Sequence, residues 1–421
     1  MNITLEPGRL GGDIPAIPSK SHIHRLLICA ALSGEETRVV CPSSSEDIDA
    51  TVRCLEALCA DITCDGEAFR VKPEKPKARP VLDCGESGST YRFLFPVACA
   101  LGADASFLLK GRLPERPMEA LFEALEAHGI TITGKGSSEV RAAGRLTAGA
   151  FTIPGDISSQ FISGLLFALP LLEGDSEIRI TGKIESKKYI GITLEALKQF
   201  GIRADMQENR ILVPGSQVCR SPGAVRGEGD WSNAAFWCCA ALVSGGPVRI
   251  SGLSPDSPQG DKEILDICGK MGAEVQWEDD SVTLTPGSLQ GIGIDVSDVP
   301  DLVPAIAAAA CAAKGTTRIL GAGRLRIKES DRLQSVTRVL QDLGADITEG
   351  EDSLTIRGGR PLKGGTVDSW GDHRIAMMAA ITAPLCTAPL TILRAEAVNK
   401  SYPGFFEDYA LLNSENKEQK S

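Results

Sequence analysis

Histidine is scarce in this sequence, and acidic residues outnumber basic ones. Only 4 of the 421 residues are histidine, and 44 Lys and Arg stand against 55 Asp and Glu, for a net charge of -11. A general nucleic-acid-binding protein usually carries a basic face. The charge therefore argues against that class, and any anionic ligand must be bound by locally clustered cations.

The 13 cysteines lack the spacing of a disulfide framework or a zinc site. Their number is odd, no two form a C-x-x-C pair, and none lies near a useful pair of histidines. Disulfide-rich secreted domains and structural zinc sites both depend on such patterns. We therefore expect neither, and a reducing cytoplasm is the simplest location.

No export or membrane signal stands out. The first residues, MNITLEPGRLGGDIP, include an acidic residue and prolines where a signal peptide needs a basic stretch and then an apolar run. The uncharged run from Ile375 to Leu393 has the length of a membrane span, but Pro384 and Pro389 interrupt it. We expect a buried helix followed by a buried strand there, and no membrane contact.

A pattern of a helix end followed by two short strands recurs along the chain. Its copies align at Cys59, Gly129, Gly201, Gly272 and Gly344, with successive steps of 70, 72, 71 and 72 residues, so the chain has room for six units. A glycine after an apolar helical stretch fits a left-handed helix cap, and the alternation that follows fits strands. Each unit is therefore expected to be α/β.

Four other segments are apolar on nearly every face and are expected to form buried helices, because an exposed helix face needs polar residues. They span residues 161–172, 234–243, 302–313 and 375–383. Six units with buried helices suggest two domains of three units each. We expect one seam near Pro18 and Ser19, and the other between Ser221 and Gly229.

In the first half of the chain, polar motifs stand at expected helix starts. Lys20, Ser21 and Arg25 open an apolar helix, where free N–H groups and the helix dipole favour an anion; a solvated basic helix start explains them equally well. The other motifs are CGESGSTYRF with Gly88 and Arg92, GRLPERPM with Arg112 and Arg116, GDISSQF with Ser158, Ser159 and Gln160, and ESKKYIG with Ser186. An ordinary helix start, a surface or salt-bridged arginine, a charged loop and helix capping are their simpler interpretations.

Charge stands beside strongly apolar sequence in the second half. In GRLRIKESDRL, the cations Arg324, Arg326, Lys328 and Arg332 alternate with Glu329 and Asp331, and Asp372-His373-Arg374 directly precedes an apolar helix. Solvated ion pairs explain about half of these residues. Taken alone, Asp301 is best interpreted as a helix N-cap, and Lys400 as a surface lysine.

Nine motifs occur in the order seen in 5-enolpyruvylshikimate-3-phosphate synthases, and the chain resembles this family along nearly its whole length. They are KSHIHR, CGESGSTYRF, RLPERPM, GDISSQF, SKKYI, DVPD, IKESDR, GDHRIAM and NKSYPGF. The resemblance implies a two-domain inside-out α/β barrel, each domain built of three βαβαββ repeats with buried parallel helices. It implies that residues 1–18 and 229–421 form one domain, that 19–228 form the other, and that the active site lies in the cleft between them.

The resemblance also implies the reaction. The enolpyruvyl group of phosphoenolpyruvate passes to the 5-hydroxyl of shikimate 3-phosphate through a tetrahedral intermediate, phosphate leaves, and glyphosate is an inhibitor. No metal or organic cofactor is implied, and we expect a monomer with no nucleic-acid partner.

Family roles carry over to matching positions. Asp301 matches the proton acceptor, and Glu329 with Lys20 matches the groups for proton transfer at the methylene. The implied contacts to shikimate 3-phosphate are Lys20, Ser21, Arg25, Ser158, Ser159, Gln160, Ser186, Asp301 and Lys328. Those to phosphoenolpyruvate are Lys20, Gly88, Arg116, Gln160, Arg332, Arg374 and Lys400. Departures from the commoner pattern at Glu86, Ser89, Phe93 and Arg324 put fine contacts in doubt.

Three other functions fit parts of the sequence. The sister enolpyruvyl transferase acting on UDP-N-acetylglucosamine resembles this chain, but it usually has a reactive cysteine in the loop that here spans Gly111 to Pro117, and Asn where Ser21 stands. RNA 3′-phosphate cyclases contain related repeats, but the acidic charge opposes that function. Retention of both Asp301 and Glu329 opposes a non-catalytic binding protein.

Overall fold

The structure, a computed structural model, describes residues 1–418, with side chains through residue 413. Contacts within the chain divide it into two compact units. The continuous unit is Pro18–Gly227, and the discontinuous unit joins Met1–Ile17 to the chain from Glu228 onward. Within residues 1–418, no helix is long and apolar enough to cross a membrane.

Strands and helices alternate along the described chain. The strands are β1 (Ile3–Leu5), β2 (Gly12–Pro15), β3 (Thr37–Val40), β4 (Ala60–Cys64), β5 (Ala68–Pro73), β6 (Val81–Gly85), β7 (Ala105–Leu109), β8 (Ile130–Thr133), β9 (Glu139–Gly144), β10 (Ala150–Pro154), β11 (Ser176–Thr181), β12 (Asp205–Gln207), β13 (Arg210–Val213), β14 (Ala224–Arg226), β15 (Val248–Ser251), β16 (Glu274–Glu278), β17 (Ser281–Thr285), β18 (Gly293–Asp295), β19 (Gly315–Leu320), β20 (Asp346–Glu349), β21 (Leu354–Gly358), β22 (Gly365–Asp368) and β23 (Leu390–Leu393). The helices are α1 (Lys20–Ala31), α2 (Glu46–Leu58), α3 (Gly88–Ala100), α4 (Glu119–Glu126), α5 (Ser159–Ala168), α6 (Lys187–Gln199), α7 (Trp231–Ser244), α8 (Ile264–Met271), α9 (Val303–Ala312), α10 (Arg332–Asp342), α11 (His373–Thr382) and α12 (Phe405–Glu418).

The continuous unit repeats one sheet topology three times. In the sheet β6-β7-β9-β8, the first two strands are parallel and the others are added antiparallel. Helix α3 joins the parallel pair, and α4 leads to the hairpin. The sheets β10-β11-β13-β12 and β14-β3-β5-β4 have the same order. The predicted α/β class and the recurring strand pair are therefore confirmed.

The discontinuous unit contains two sheets of the same kind and a shorter third one. The four-stranded sheets are β2-β15-β17-β16 and β18-β19-β21-β20. In the third sheet, β22 and β23 are parallel, and β1 is added antiparallel, with Thr4 opposite Thr391. The start of the chain thus completes the sheet of its last unit.

Glycines end four of the five aligned helical stretches in the left-handed conformation. The φ angles are 94° at Gly129, 76° at Gly201, 108° at Gly272 and 88° at Gly344, values that favour glycine because it has no Cβ. The first copy has Cys59 in place of a glycine; its φ is -162°, and the chain enters β4 without a left-handed residue.

The apolar segments form buried helices, as predicted. All residues of α11 are buried, as are those of α9 except Ala312, and α5 and α7 are buried except at single polar positions. The uncharged run after Ile375 forms most of α11 and then β23, which confirms the predicted helix and strand.

All 13 cysteines are free thiols, and only Cys64 is exposed. Burial raises the pKa of Cys59 to about 12, which makes this thiol a poor nucleophile.

Candidate active site

Arg332 lies at the centre of a buried group of charges in the discontinuous unit. It is the first residue of α10 and is 1% exposed. Its Nη1 donates to Asp301 Oδ1 at 2.9 Å, its Nη2 to Glu329 Oε2 at 2.7 Å and its Nε to Asp372 Oδ2 at 2.8 Å. We call the Arg332 cluster the six residues Asp301, Lys328, Glu329, Arg332, Asp372 and Arg374. Because each unpaired buried charge is costly, the ion pairs fix the positions of these side chains.

Asp301 is shared by three cations. It lies in the 3₁₀ turn Pro300–Leu302 that precedes α9. Its Oδ1 is 3.2 Å from Lys328 Nζ and also accepts the bond from Arg332, and its Oδ2 accepts from Arg374 Nη2 at 3.3 Å. Interpreting Asp301 as an N-cap is wrong, because its side chain caps neither the turn nor α9. Its carboxylate is held instead by these three ion pairs.

These contacts shift the pKa values of two members of the cluster. Burial alone raises the pKa of Asp301, but the charges of Arg374, Lys328 and Arg332 outweigh it and hold this pKa well below 3.8. Burial lowers the pKa of Lys328 to about 8, although the charge of Asp301 opposes this shift. At neutral pH the carboxylate is thus ionised, and the ammonium group begins to lose its proton only as the pH approaches 8.

Asp372 serves both the helix and the cluster. As the N-cap of α11, its Oδ1 accepts from the backbone N–H of Arg374 at 3.0 Å. Its Oδ2 accepts from Arg332 and from Ser330 Oγ, the latter at 3.0 Å.

Lys400 ends the 3₁₀ turn Ala395–Lys400 and is 5% exposed, so its interpretation as a surface lysine is wrong.

In the continuous unit, helices begin at the positions where the sequence predicted helix starts that could bind anions. Helix α1 begins at Lys20 and α3 at Gly88. Ser158 caps α5, and its side chain accepts from the N–H of Gln160 at 3.3 Å; Ser159 is the first residue of that helix. Ser186 precedes α6 with a φ of 54° and makes no side-chain cap bond. Each of these starts offers N–H groups without partners inside the helix.

Lys20 and Arg25 are not a solvated helix start. The side chain of Lys20 is 15% exposed, and its Nζ lies 2.7 Å from Asp47 Oδ2. Arg25 is 2% exposed, and burial lowers its pKa to about 10. Its guanidinium carbon lies 4.9 Å from the ring centre of Phe93, a cation–π contact. Both side chains are therefore held in place by the protein, and Arg25 keeps its charge at neutral pH.

Gly88 and Arg116 are in close contact. A Cβ added at Gly88 would lie 2.8 Å from Arg116 Nη1, so a side chain there would displace the guanidinium. The Arg116 loop contains the 3₁₀ turn Leu113–Glu115. At Gly111, whose φ is 53°, an added Cβ would meet Glu86. Two glycines thus permit the packing of this loop against the turn that opens α3.

Arg92 connects Gln160 to the same loop. Its Nη1 donates to Gln160 Oε1 at 2.8 Å and its Nη2 to the carbonyl of Pro117 at 3.1 Å. Gln160 Nε2 donates in turn to Ser89 Oγ at 2.9 Å. Arg92 is only 4% exposed, so its interpretation as a surface arginine is wrong.

The structure therefore joins five predicted site residues of the discontinuous unit by direct ion pairs, namely Asp301, Lys328, Glu329, Arg332 and Arg374. In the continuous unit, the predicted site residues lie at or near helix starts and in the Arg116 loop. Sequence reasoning missed Asp47 and Thr193, and it named Asp372 only as part of a motif. Asp47 and Thr193 carry no local signal, since their partners lie on other helices. Over the described residues, no group of His, Cys, Asp and Glu could hold a metal ion.

Comparison with known proteins identifies the family of the chain. The model of the family described as EPSP synthase (3-phosphoshikimate 1-carboxyvinyltransferase) matches residues 5–409. Proteins named 3-phosphoshikimate 1-carboxyvinyltransferase from Clostridium kluyveri and Clostridium acetobutylicum are each 42% identical, over 417 and 421 residues, with 98% of this chain and 97% of each relative covered. A solved structure of EPSP synthase from Acinetobacter baumannii has a TM-score of 0.82 at 25% identity and covers 98% of both chains. With the motifs, the fold and these relatives in agreement, the chain belongs to the EPSP synthase family.

Proposed function

We propose that this protein transfers the enolpyruvyl group of phosphoenolpyruvate to the 5-hydroxyl of shikimate 3-phosphate and releases phosphate. It thus acts as a 3-phosphoshikimate 1-carboxyvinyltransferase in the shikimate pathway of aromatic amino acid biosynthesis. The observation that carries the proposal is the Arg332 cluster, in which the ionised carboxylate of Asp301 lies among three cations. A reaction between two anionic substrates that begins with removal of a hydroxyl proton needs this combination.

The cations match the charges of the substrates. Phosphoenolpyruvate brings a phosphate and a carboxylate, and shikimate 3-phosphate brings a second phosphate and carboxylate. Arg116, Arg332, Arg374 and Lys400 bind the former, and Arg25 and Lys328 bind the latter, while Lys20 contacts both. Arginine forks suit such planar and tetrahedral anions. Gly88 and the serines at the helix starts add backbone and hydroxyl donors.

Asp301 is the proton acceptor for the 5-hydroxyl, and Glu329 with Lys20 transfers the proton to and from the methylene carbon. In the free protein the three cations hold the pKa of Asp301 far below the working pH, which makes it a weak base. Substrate anions offset the same three positive charges when they bind. We infer that binding raises the pKa of Asp301 and so activates the base only when the substrates are present.

The finer points of architecture belong to the same proposal. Each unit forms an inside-out α/β barrel of three βαβαββ repeats. The protein is a cytoplasmic monomer. The 13 free thiols support a reducing compartment, where disulfides do not form.

The test is a product analysis. The protein is incubated with phosphoenolpyruvate and shikimate 3-phosphate, alone and together, and released phosphate is measured while the organic product is followed by proton NMR. We expect phosphate release only with both substrates, in equal amount to a product that carries the two vinyl protons of an enolpyruvyl ether. Phosphate release from phosphoenolpyruvate alone at the same rate would contradict the proposal.

A further inference from the structure

Arg25 is held from three sides by the protein itself. Its Nε donates to Thr193 Oγ1 at 2.7 Å, its Nη2 to the carbonyl of Tyr189 at 3.1 Å and its Nη1 to the carbonyl of Ser21. An arginine has five N–H donors in a fixed planar fork. These three bonds leave two donors for a ligand, and they fix the plane in which those donors lie.

Two of the three bonds run from α1 to α6. Tyr189 and Thr193 lie one turn apart on α6, so the guanidinium spans a single helical turn of its neighbour. The third bond returns to Ser21, in the first turn of α1. Arg25 therefore couples the start of α1 to the start of α6, which Ser186 precedes.

Thr193 is built to accept this bond. It is fully buried, and its hydroxyl also contacts Ser163 Oγ at 2.8 Å and the carbonyl of Tyr189 at 3.3 Å. Because a hydroxyl has one proton and two lone pairs, donating to one of these neighbours still leaves a lone pair for Arg25. Of the three acceptors, the hydroxyl is the one that a side-chain substitution removes without altering the backbone.

We propose that Thr193 is a positioning residue that orients the Arg25 guanidinium for an anionic group of shikimate 3-phosphate. The inference rests on the proposed function, in which Arg25 contacts that substrate. Thr193 itself does not touch the substrate; it acts through Arg25. Its loss should therefore weaken the binding of shikimate 3-phosphate and leave the chemistry at Asp301 nearly unchanged.

The expected size follows from the kind of bond that is lost. Thr193→Val keeps the shape of the side chain but leaves the Nε–H of a buried cation without its acceptor. Hydrogen bonds to charged groups contribute about twice as much as neutral ones, and a mispositioned fork loses part of its bidentate contact. We expect affinity for shikimate 3-phosphate to fall about tenfold, with Thr193→Ser, which keeps the hydroxyl, within about twofold of the wild type.

The matched control is Thr382→Val in the discontinuous unit. Thr382 is also a fully buried helical threonine, and its hydroxyl donates to the carbonyl of Ala379 at 2.7 Å without contact to any cation. Thr382→Val makes the same threonine-to-valine change and also removes a buried hydrogen bond donated by a hydroxyl. Any general effect of destabilisation should therefore appear in it as well.

The experiment measures shikimate 3-phosphate binding by calorimetry on the four full-length proteins, together with kcat and the KM for each substrate. The proposal predicts weaker binding and a higher KM for shikimate 3-phosphate in Thr193→Val alone, with kcat within about threefold of the wild type and the KM for phosphoenolpyruvate unchanged. Wild-type affinity in Thr193→Val, or an equal loss in Thr193→Ser or Thr382→Val, would overturn it. A wild-type protein that neither binds shikimate 3-phosphate nor releases phosphate would overturn the proposed function, and this inference with it.

Discussion

Replacing Asp301 with Asn is the perturbation that most directly separates catalysis from binding. The amide keeps the size of the carboxylate and can still bond to Arg374, but it cannot accept the hydroxyl proton of the substrate. General-base catalysis contributes a factor of about 10² to 10⁴. We therefore expect kcat to fall by that factor, which corresponds to about 3–5 kcal/mol in the activation barrier.

The geometry predicts the opposite direction for binding. In the Arg332 cluster three carboxylates balance three cations, and Asp301 lies 2.9 to 3.3 Å from all three cations. At such distances, with an effective dielectric constant of about 20, each pair contributes roughly 5 kcal/mol of Coulomb attraction before desolvation is subtracted. Neutralising Asp301 leaves one positive charge in excess, so anionic substrates should bind at least as tightly as in the wild type.

The assay is steady-state phosphate release combined with calorimetric binding of shikimate 3-phosphate. Asp331→Asn is the matched control, because Asp331 caps α10 and pairs with Arg326 at 3.0 Å without a bond to Asp301. Asn caps helices about as well as Asp, so the control should keep most of its activity. If Asp301→Asn retained a tenth or more of the wild-type kcat, the assignment of Asp301 as the base would be wrong. A loss of shikimate 3-phosphate affinity would contradict the predicted effect of its charge on binding.

The remaining predictions concern charge and inhibition. Burial lowers the pKa of Lys328 to about 8, so its positive charge is present below that pH and lost above it. The KM for shikimate 3-phosphate should therefore rise above pH 8 in the wild type but not in Lys328→Arg, because arginine keeps its charge. The same dependence of this KM on pH in both proteins would refute the prediction. Arg332→Leu removes the cation that Asp301, Glu329 and Asp372 share, and it should lower the free energy of unfolding in urea by about 3–5 kcal/mol. Arg338→Leu removes an exposed ion pair and should cost about 0.5 kcal/mol or less; equal losses would contradict the buried network. Glyphosate should inhibit this protein less than it inhibits relatives with the commoner residues, because Glu86 places a carboxylate two residues before Gly88, close to where the anionic inhibitor is expected to bind. The test compares the ratio of the glyphosate inhibition constant to the KM for phosphoenolpyruvate in this protein and in such a relative, and equal ratios would count against the prediction.

Local sequence patterns predicted what depends on short-range rules. The left-handed glycines, such as Gly272, and the helix starts at Lys20 and Gly88 follow from backbone sterics and from the change between polar and apolar sequence. The exception at Cys59 shows the limit of alignment by spacing, since the position recurs while its conformation does not.

Contacts between distant segments could not be predicted in this way. Arg332 and Glu329 are three residues apart, but Asp301 and Asp372 are 31 and 40 residues from Arg332, and no period in the sequence links them. The same holds for Thr193, whose partner Arg25 lies 168 residues away. Burial is equally a tertiary property, which is why Arg92 and Lys400 could be mistaken for surface cations.

The acceptor substrate distinguishes this enzyme from the sister enolpyruvyl transferase. Phosphate release from phosphoenolpyruvate is measured with shikimate 3-phosphate and, in parallel, with UDP-N-acetylglucosamine at the same concentration. The mass of each organic product is determined by mass spectrometry. We predict turnover with shikimate 3-phosphate, a product heavier by one enolpyruvyl group, and no release above background with the nucleotide sugar. Turnover with UDP-N-acetylglucosamine and none with shikimate 3-phosphate would contradict the account.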